Sequence, residues 1–86
     1  MQIYWKRHAR QRFFERSLIY GVHYGEIELN IIKQKVKIKQ PFGTVKTIFE
    51  LMNYFFTVIK KEDKKRIKVI SIWESNDEEI ELWKKK

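Results

Sequence analysis

The sequence has no cysteine, one proline and three glycines. The lack of cysteine excludes disulfide bonds and thiolate metal sites. Because the chain has only two histidines, a zinc site would depend on carboxylate ligands, which is an unusual arrangement. No apolar run reaches the roughly 18 residues that a membrane span needs. We therefore expect a cytoplasmic protein that uses no metal or other cofactor and has no membrane partner.

The chain is rich in large apolar side chains, including six phenylalanines, four tyrosines and three tryptophans. Disordered chains of high charge lack such residues, so this chain should fold. Its 86 residues suffice for one domain and are too few for two. The sequence thus predicts a single domain over residues 1–86.

The charge is positive and unevenly distributed, with a formal net charge of +8 at pH 7. Residues 1–46 carry ten lysines and arginines against three acids, whereas residues 47–86 carry nine against eight. A local excess of cations attracts phosphate backbones and raises association rates. The alternative interpretation is a general surface charge that serves solubility.

The first half of the chain has the pattern of helices. Residues 6–16 contain no glycine, proline or β-branched residue, and Ala9 and Phe13 fall on one face that can be buried. Residues 20–33 fit both helical spacing and strand alternation, and we favour a second helix there. Residues 3–5 could add an edge strand.

The second half has the pattern of strands. Residues 35–40 alternate between polar, mostly lysine, and apolar side chains, and a Pro-Phe-Gly turn follows. Further strands are predicted over residues 44–51, 54–60 and 66–74, and a helix with a favourable N-cap over residues 76–86. The predicted fold is α+β, with two N-terminal helices packed on an antiparallel sheet of about four strands and a short C-terminal helix.

One stripe of the first helix combines residue types that can act on a phosphodiester. His8, Arg12, Glu15 and Arg16 fall within an arc of roughly 100° on the helix. Arginine binds phosphate through a planar, permanently charged group, and an imidazole transfers protons near neutral pH. These four residues are the candidate catalytic residues for RNA cleavage. In the alternative interpretation, Glu15 only pairs with a neighbouring arginine and His8 only bonds a backbone carbonyl.

A second group of cations lies at period two and predicts a basic strand face. It consists of Lys33, Lys35, Lys37 and Lys39, spaced by roughly 6.6 Å per pair of residues. An edge strand that uses lysine against aggregation would look the same. Further candidate nucleic-acid contacts are Lys46, Arg66 and Lys68. The last two belong to a basic group over residues 60–68, for which we favour an ordinary exposed hairpin tip. Aromatic residues of the strands (Tyr54, Phe55, Phe56 and Trp73) could stack on bases, but such residues usually form the core.

The spacing of His8-Ala9, Arg12 and Glu15-Arg16 resembles that of a family of small bacterial and archaeal proteins with an H-A-x-x-R-x-x-E-R signature, which is related to the RelE/BrnT-like toxins. The resemblance covers roughly residues 3–74. It departs from the family where Ser17-Leu18-Ile19 stands in place of the usual Gly-Ile.

This resemblance implies a RelE-like fold, in which helices pack on a twisted antiparallel sheet. It also implies a metal-independent endoribonuclease that acts on RNA, including ribosome-bound mRNA, and is silenced by an acidic antitoxin protein. A homodimer is a further expectation. The main alternative is a binding module without catalysis, acting on nucleic acid or on an acidic protein. A third is a structural protein whose basic surface has no ligand.

Overall fold

The computed structural model describes residues 2–33 and 35–85. They form five strands and three α-helices in the order β1–α1–α2–β2–β3–β4–β5–α3. The bounds are β1 Gln2–Trp5, α1 Arg7–Tyr20, α2 Tyr24–Lys33, β2 Val36–Lys39, β3 Val45–Leu51, β4 Tyr54–Glu62, β5 Arg66–Glu74 and α3 Asp77–Lys84. A 3₁₀ turn at Pro41–Gly43 joins β2 to β3.

The five strands form one mixed sheet in the order β1-β5-β4-β3-β2. The last four strands are an antiparallel meander, and β1 lies parallel to β5 at the edge. The predicted antiparallel, RelE-like sheet of about four strands behind two N-terminal helices is therefore wrong. A strand precedes the helices, the sheet has five strands, and one of its strand pairs is parallel.

The parallel strand pair arises from β1, which precedes the helices in the chain. The edge strand expected over residues 3–5 is present as β1, but it is parallel to its neighbour: Ile3 and Trp5 pair with Ile67 and Val69 of β5. The chain leaves β1 through two helices and a meander, and so returns beside it in the same direction. Parallel neighbours require a long crossover of this kind. No local sequence signal states which later strand β1 will join.

Both N-terminal helices are present, with bounds that differ from the prediction. Helix α1 extends four residues beyond Arg16 and stops before Gly21, whose φ of +68° ends the helix in the left-handed region that glycine tolerates. The prediction of a helix rather than a strand in residues 20–33 is confirmed for Tyr24–Lys33. Ile27 and Ile31, four residues apart, are both fully buried.

The core lies between these two helices and one face of the sheet. Side chains alternate between the two faces of each strand, and the pairing of the strands puts the buried apolar residues on the helical side. The largest of them are Phe13, Ile27, Ile31, Phe49, Phe56 and Ile67. This packing fixes α1 against the edge of the sheet formed by β1 and β5.

Helix α3 covers part of the opposite face. Asn76 is its N-cap, and a reciprocal pair of hydrogen bonds joins Asn76 and Glu79, as the sequence predicts. Trp83 packs edge-on against Phe55 of β4, with ring centroids 5.0 Å apart. The rest of this face, toward β1, carries polar side chains instead of a second helix: Gln2, Tyr4, Lys61, Arg66 and Lys68.

Candidate nucleic-acid interface

The four candidate catalytic residues all lie on α1 with exposed side chains. Within the described part of the chain, the side chains of His8, Arg12 and Glu15 form no hydrogen bond or ion pair, so the pairing of Glu15 with an arginine is not seen. Arg16 is different, because its guanidinium lies beside Tyr20 and lowers the pKa of the Tyr20 hydroxyl. The exposed stripe is thus free to meet a ligand, but no neighbouring side chain orients His8 as a catalytic base.

Arg12 and Arg16 line one small cavity together with Tyr20 and Glu74. The Tyr20 hydroxyl donates a 2.7 Å hydrogen bond to Oε1 of Glu74. Burial and this carboxylate raise the pKa of Tyr20, whereas Arg16 lowers it by a smaller amount. The cavity that these residues line is about 10 Å³, which is too small for a nucleotide, and neither His8 nor Glu15 lines it.

The four lysines predicted to share one strand face are separated in the structure. Lys33 lies in the last turn of α2, so the strand cannot include it. Lys35 precedes β2 and holds its ammonium 4.0 Å from the centre of the Trp83 ring. Lys37 pairs with Glu62 at 3.3 Å, and Lys39 is exposed. The four-residue ladder is therefore wrong, although Lys37 and Lys39 share a face of β2.

The remaining predicted contacts lie on the face of the sheet opposite the core. Lys46 is bound to Glu79 of α3 at 3.1 Å, so its charge is already balanced. Arg66 and Lys68 of β5 lie beside β1 and, together with Lys61, line an open pocket of about 190 Å³. Of Lys46, Arg66 and Lys68, the structure therefore brings together Arg66 and Lys68.

One local excess of cations is at the start of α1. Lys6, Arg7, Arg10 and Arg12 follow one another within seven residues, and the first turn contains no acid. The amino end of a helix carries a partial positive charge, so basic side chains there are unfavourable for the helix itself. Residues that oppose the preference of their own helix are typical of a functional surface. An anionic ligand would offset the repulsion between these cations and the helix end.

An open pocket of about 480 Å³ lies beside these cations. It is lined by Trp5, Arg7, Arg10, Gln11 and Phe14. Phe14 is 63% exposed, so its ring can be reached from this pocket. Planar aromatic faces beside guanidinium groups are the combination that binds unpaired bases and their phosphates.

Trp5 is held in a fixed orientation at this pocket. Its indole Nε1–H donates a 2.9 Å hydrogen bond to Oε2 of Glu28 in α2. Its ring packs against Phe13, with centroids 5.6 Å apart. Strand β1, α1 and α2 therefore hold the ring together, so an ordered aromatic surface exists before any ligand binds.

Sequence reasoning missed the aromatic half of this site. It considered the strand aromatics as base-stacking residues, but Phe56 is buried and Phe55 packs on Trp83. A usable signal was present, because Phe14 follows Arg10 by four residues and Arg7 by seven, which puts an aromatic ring and two guanidinium groups on one face of a helix.

Comparison of the chain with protein-family models, with curated proteins and with solved structures found no significant match. None of the helices in the described ranges is long and apolar enough to cross a membrane. Over the same ranges, no group of three or more histidine or carboxylate side chains is arranged to hold a metal ion.

Proposed function

We propose that this protein binds single-stranded RNA, and that the pocket between β1 and α1 is where an unpaired base and its phosphates bind. The observation that carries the proposal is the pocket itself, in which Trp5 and Phe14 lie beside Arg7 and Arg10. Base stacking on aromatic rings tolerates any base, so this site predicts weak sequence preference.

RNA is favoured over DNA by the polar groups near the aromatics. The Gln11 amide lines this pocket, and the Glu28 carboxylate lines the adjoining one. Both groups can accept a hydrogen bond from a ribose 2′-hydroxyl, which DNA lacks. A carboxylate would otherwise repel a nucleic acid, so a hydroxyl donor is a suitable partner for it. The His8-to-Arg16 spacing adds support for an RNA ligand only through its resemblance to a family related to RNA-directed toxins.

The test is the affinity of the protein for a labelled ten-nucleotide RNA, measured by fluorescence anisotropy. In the variant that combines Arg7→Gln and Arg10→Gln, we expect affinity to fall about tenfold or more, because charged hydrogen bonds to phosphate are lost. The matched control combines Lys64→Gln and Lys65→Gln at the β4–β5 hairpin tip, which removes the same charge elsewhere.

We expect the hairpin-tip control to change affinity by less than about threefold, and the DNA of the same sequence to bind more weakly than the RNA. Equal losses in both charge variants would mean that only net charge attracts the RNA, which would overturn the pocket as its site. Absence of binding at low salt would overturn RNA as the ligand.

RNA cleavage is a second candidate function, favoured by the exposure of His8, Arg12 and Glu15 on one side of α1. In this proposal His8 moves a proton and Arg12 stabilises phosphate charge, as expected of a toxin-type endoribonuclease that an acidic antitoxin would silence. We expect growth arrest when the protein is expressed, and relief of the arrest by His8→Ala. RNA left intact by concentrated protein, with and without ribosomes, would overturn cleavage while leaving binding in place.

A further inference from the structure

We propose that the bound RNA does not end at the α1 pocket but continues around the edge strand β1 onto the open face of the sheet, giving a site of about four to six nucleotides. This inference rests on the proposed RNA-binding function. It adds Tyr4, Lys61, Arg66 and Lys68 as contacts, and it sets the length of RNA that the protein recognises.

The first argument is the continuity of three pockets. The α1 pocket shares Trp5 and Arg10 with a second pocket of about 420 Å³, which is also lined by Ile3, Tyr4 and Glu28. The second shares Tyr4 with the 190 Å³ pocket of β4 and β5. Neighbouring pockets that share lining residues form one groove. This groove is lined by Ile3, Tyr4 and Trp5 of β1.

The second argument is the charge at the far end of the groove. Lys61 of β4 and Lys68 of β5 lie directly opposite each other in the sheet. Like charges at such positions are destabilising, so their juxtaposition is costly unless an anion lies between them. Arg66 lines the same pocket, which makes three cations around a space that fits a phosphate group.

The two acids of this pocket do not cancel the cations. Oδ1 of Asp63 accepts hydrogen bonds from the backbone N–H groups of Lys65 and Arg66, so it holds the hairpin turn. Oε1 of Glu62 lies 3.3 Å from the ammonium of Lys37, on the edge of the sheet formed by β2 and β3. Glu62 is thus paired with a lysine outside the pocket, whereas Asp63 keeps its charge within it, so three cations of the pocket face one carboxylate with which no lysine or arginine of the described residues pairs.

The third argument is the position of the aromatic residues. Tyr4 is 40% exposed and lies between the second and third pockets, and it pairs with Lys68 in the sheet. Tyr4, Trp5 and Phe14 therefore follow one another along the groove, each beside at least one cation. Alternating rings and cations suit the alternating bases and phosphates of a single strand.

The length of the groove sets the expected number of nucleotides. Strand β1 spans about 13 Å, and two further strand spacings to Lys61 add about 10 Å. Crossing the side of α1 to Phe14 adds about 5 Å, half the diameter of a helix. The path bends, and an extended strand of about four to six nucleotides covers its roughly 28 Å.

The experiment measures affinity against RNA length, with labelled oligouridines of two, four, six, eight and ten nucleotides. For the unmodified protein we expect affinity to rise with each added nucleotide up to about six. Beyond that length the affinity should rise only slightly, because a longer RNA offers more positions at which the same site can bind. The test variant combines Tyr4→Ala and Lys68→Gln, and we expect its affinity for the eight-nucleotide RNA to fall about tenfold. Lys64→Gln is the matched charge control and should change it less than about twofold.

A second readout separates binding from folding. Lys68→Gln removes a like-charge pair with Lys61, so this single variant should unfold at the same or a higher denaturant concentration while binding more weakly. Affinity that stops rising at three nucleotides, or a double variant that binds as tightly as the unmodified protein, would overturn the extended site and leave the α1 pocket intact. An acidic peptide that binds this groove when no RNA of any length does would overturn both proposals.

Discussion

Lys60 shows how one residue can join the two layers of the fold. Its side chain is 0% exposed, and its ammonium donates a 3.0 Å hydrogen bond to the Ile31 carbonyl near the end of α2. Glu62 lies 3.7 Å away. Burial lowers the pKa of Lys60 below its ordinary value of 10.5, and Glu62 opposes that effect in part.

We predict that Lys60→Met destabilises the protein by about 1–3 kcal/mol, because the buried Ile31 carbonyl loses its donor. The free energy of unfolding, measured by urea denaturation, checks this. Lys61→Met is the matched control: it is the adjacent residue but is exposed, so the expected change is within about 0.5 kcal/mol. A Lys60→Met protein as stable as the unmodified one would contradict the prediction.

The pH dependence of Lys60 has a definite sign. Between its lowered folded pKa and 10.5, the unfolded chain binds more protons at this residue than the folded chain does. Stability from this residue therefore rises with pH through that window. The Lys60→Met variant lacks the effect, so its deficit should grow as the pH approaches 10. Tyr20, whose raised pKa acts in the opposite direction, is present in both proteins and cancels in the comparison.

At the scale of a single element, α3 is held on the sheet by one carboxylate. Glu79 is 4% exposed, and its Oε1 accepts hydrogen bonds from Trp73 Nε1 at 3.0 Å and from the Asn76 backbone at 2.9 Å. Burial alone would raise the pKa of Glu79. The hydrogen bonds from Asn76, Trp73 and Lys46 outweigh burial and hold the pKa below its ordinary value of 4.5.

We predict that Glu79→Gln lowers the free energy of unfolding at pH 7 by about 1–2 kcal/mol, because the charged acceptor is lost. A carboxylate with a depressed folded pKa stabilises the protein above its unfolded pKa, and that stability is lost as the pH falls through the folded value. The deficit of the variant should therefore shrink as the pH falls below 4.5. Denaturation curves over this pH range check it.

Glu78→Gln is the matched control for α3. Glu78 also lies in the first turn and interacts with the helix dipole, but its side chain is exposed. We expect a loss of less than about 0.5 kcal/mol from it. Equal losses in the two variants would mean that the dipole, and not the buried network of Glu79, accounts for the effect.

Elements were predictable wherever a local signal specified them. The capping residues of α3, the turn at Pro41–Gly43 and the alternation in β2 each depend on neighbouring residues, and all three are present. The parallel pairing of β1 with β5 depends on residues about 64 positions apart, for which a single sequence carries no signal. The same limit applies to Lys37 and Lys46, whose acidic partners come from distant elements.

At the scale of the whole molecule, the excess charge of residues 1–46 does not collect on one surface. Lys46 and Lys37 are balanced by carboxylates from the second half of the chain, while the cations of α1 are joined by Arg66 and Lys68 across β1. Charge counting predicted that the surplus cations of residues 1–46 gather on one surface, and for Lys37 and Lys46 this is wrong. The location of the other cations at the β1 edge follows from the sheet order, which composition cannot show.

The salt dependence of RNA affinity tests most directly whether phosphates are bound at the β1 edge. For a ten-nucleotide RNA, the logarithm of the affinity should fall with the logarithm of salt concentration with a slope of about −3, as expected for about four phosphate contacts on a single strand. The variant combining Arg7→Gln and Arg10→Gln should reduce the magnitude of that slope by about 1.4. An unchanged slope in this variant would contradict the assignment of the site.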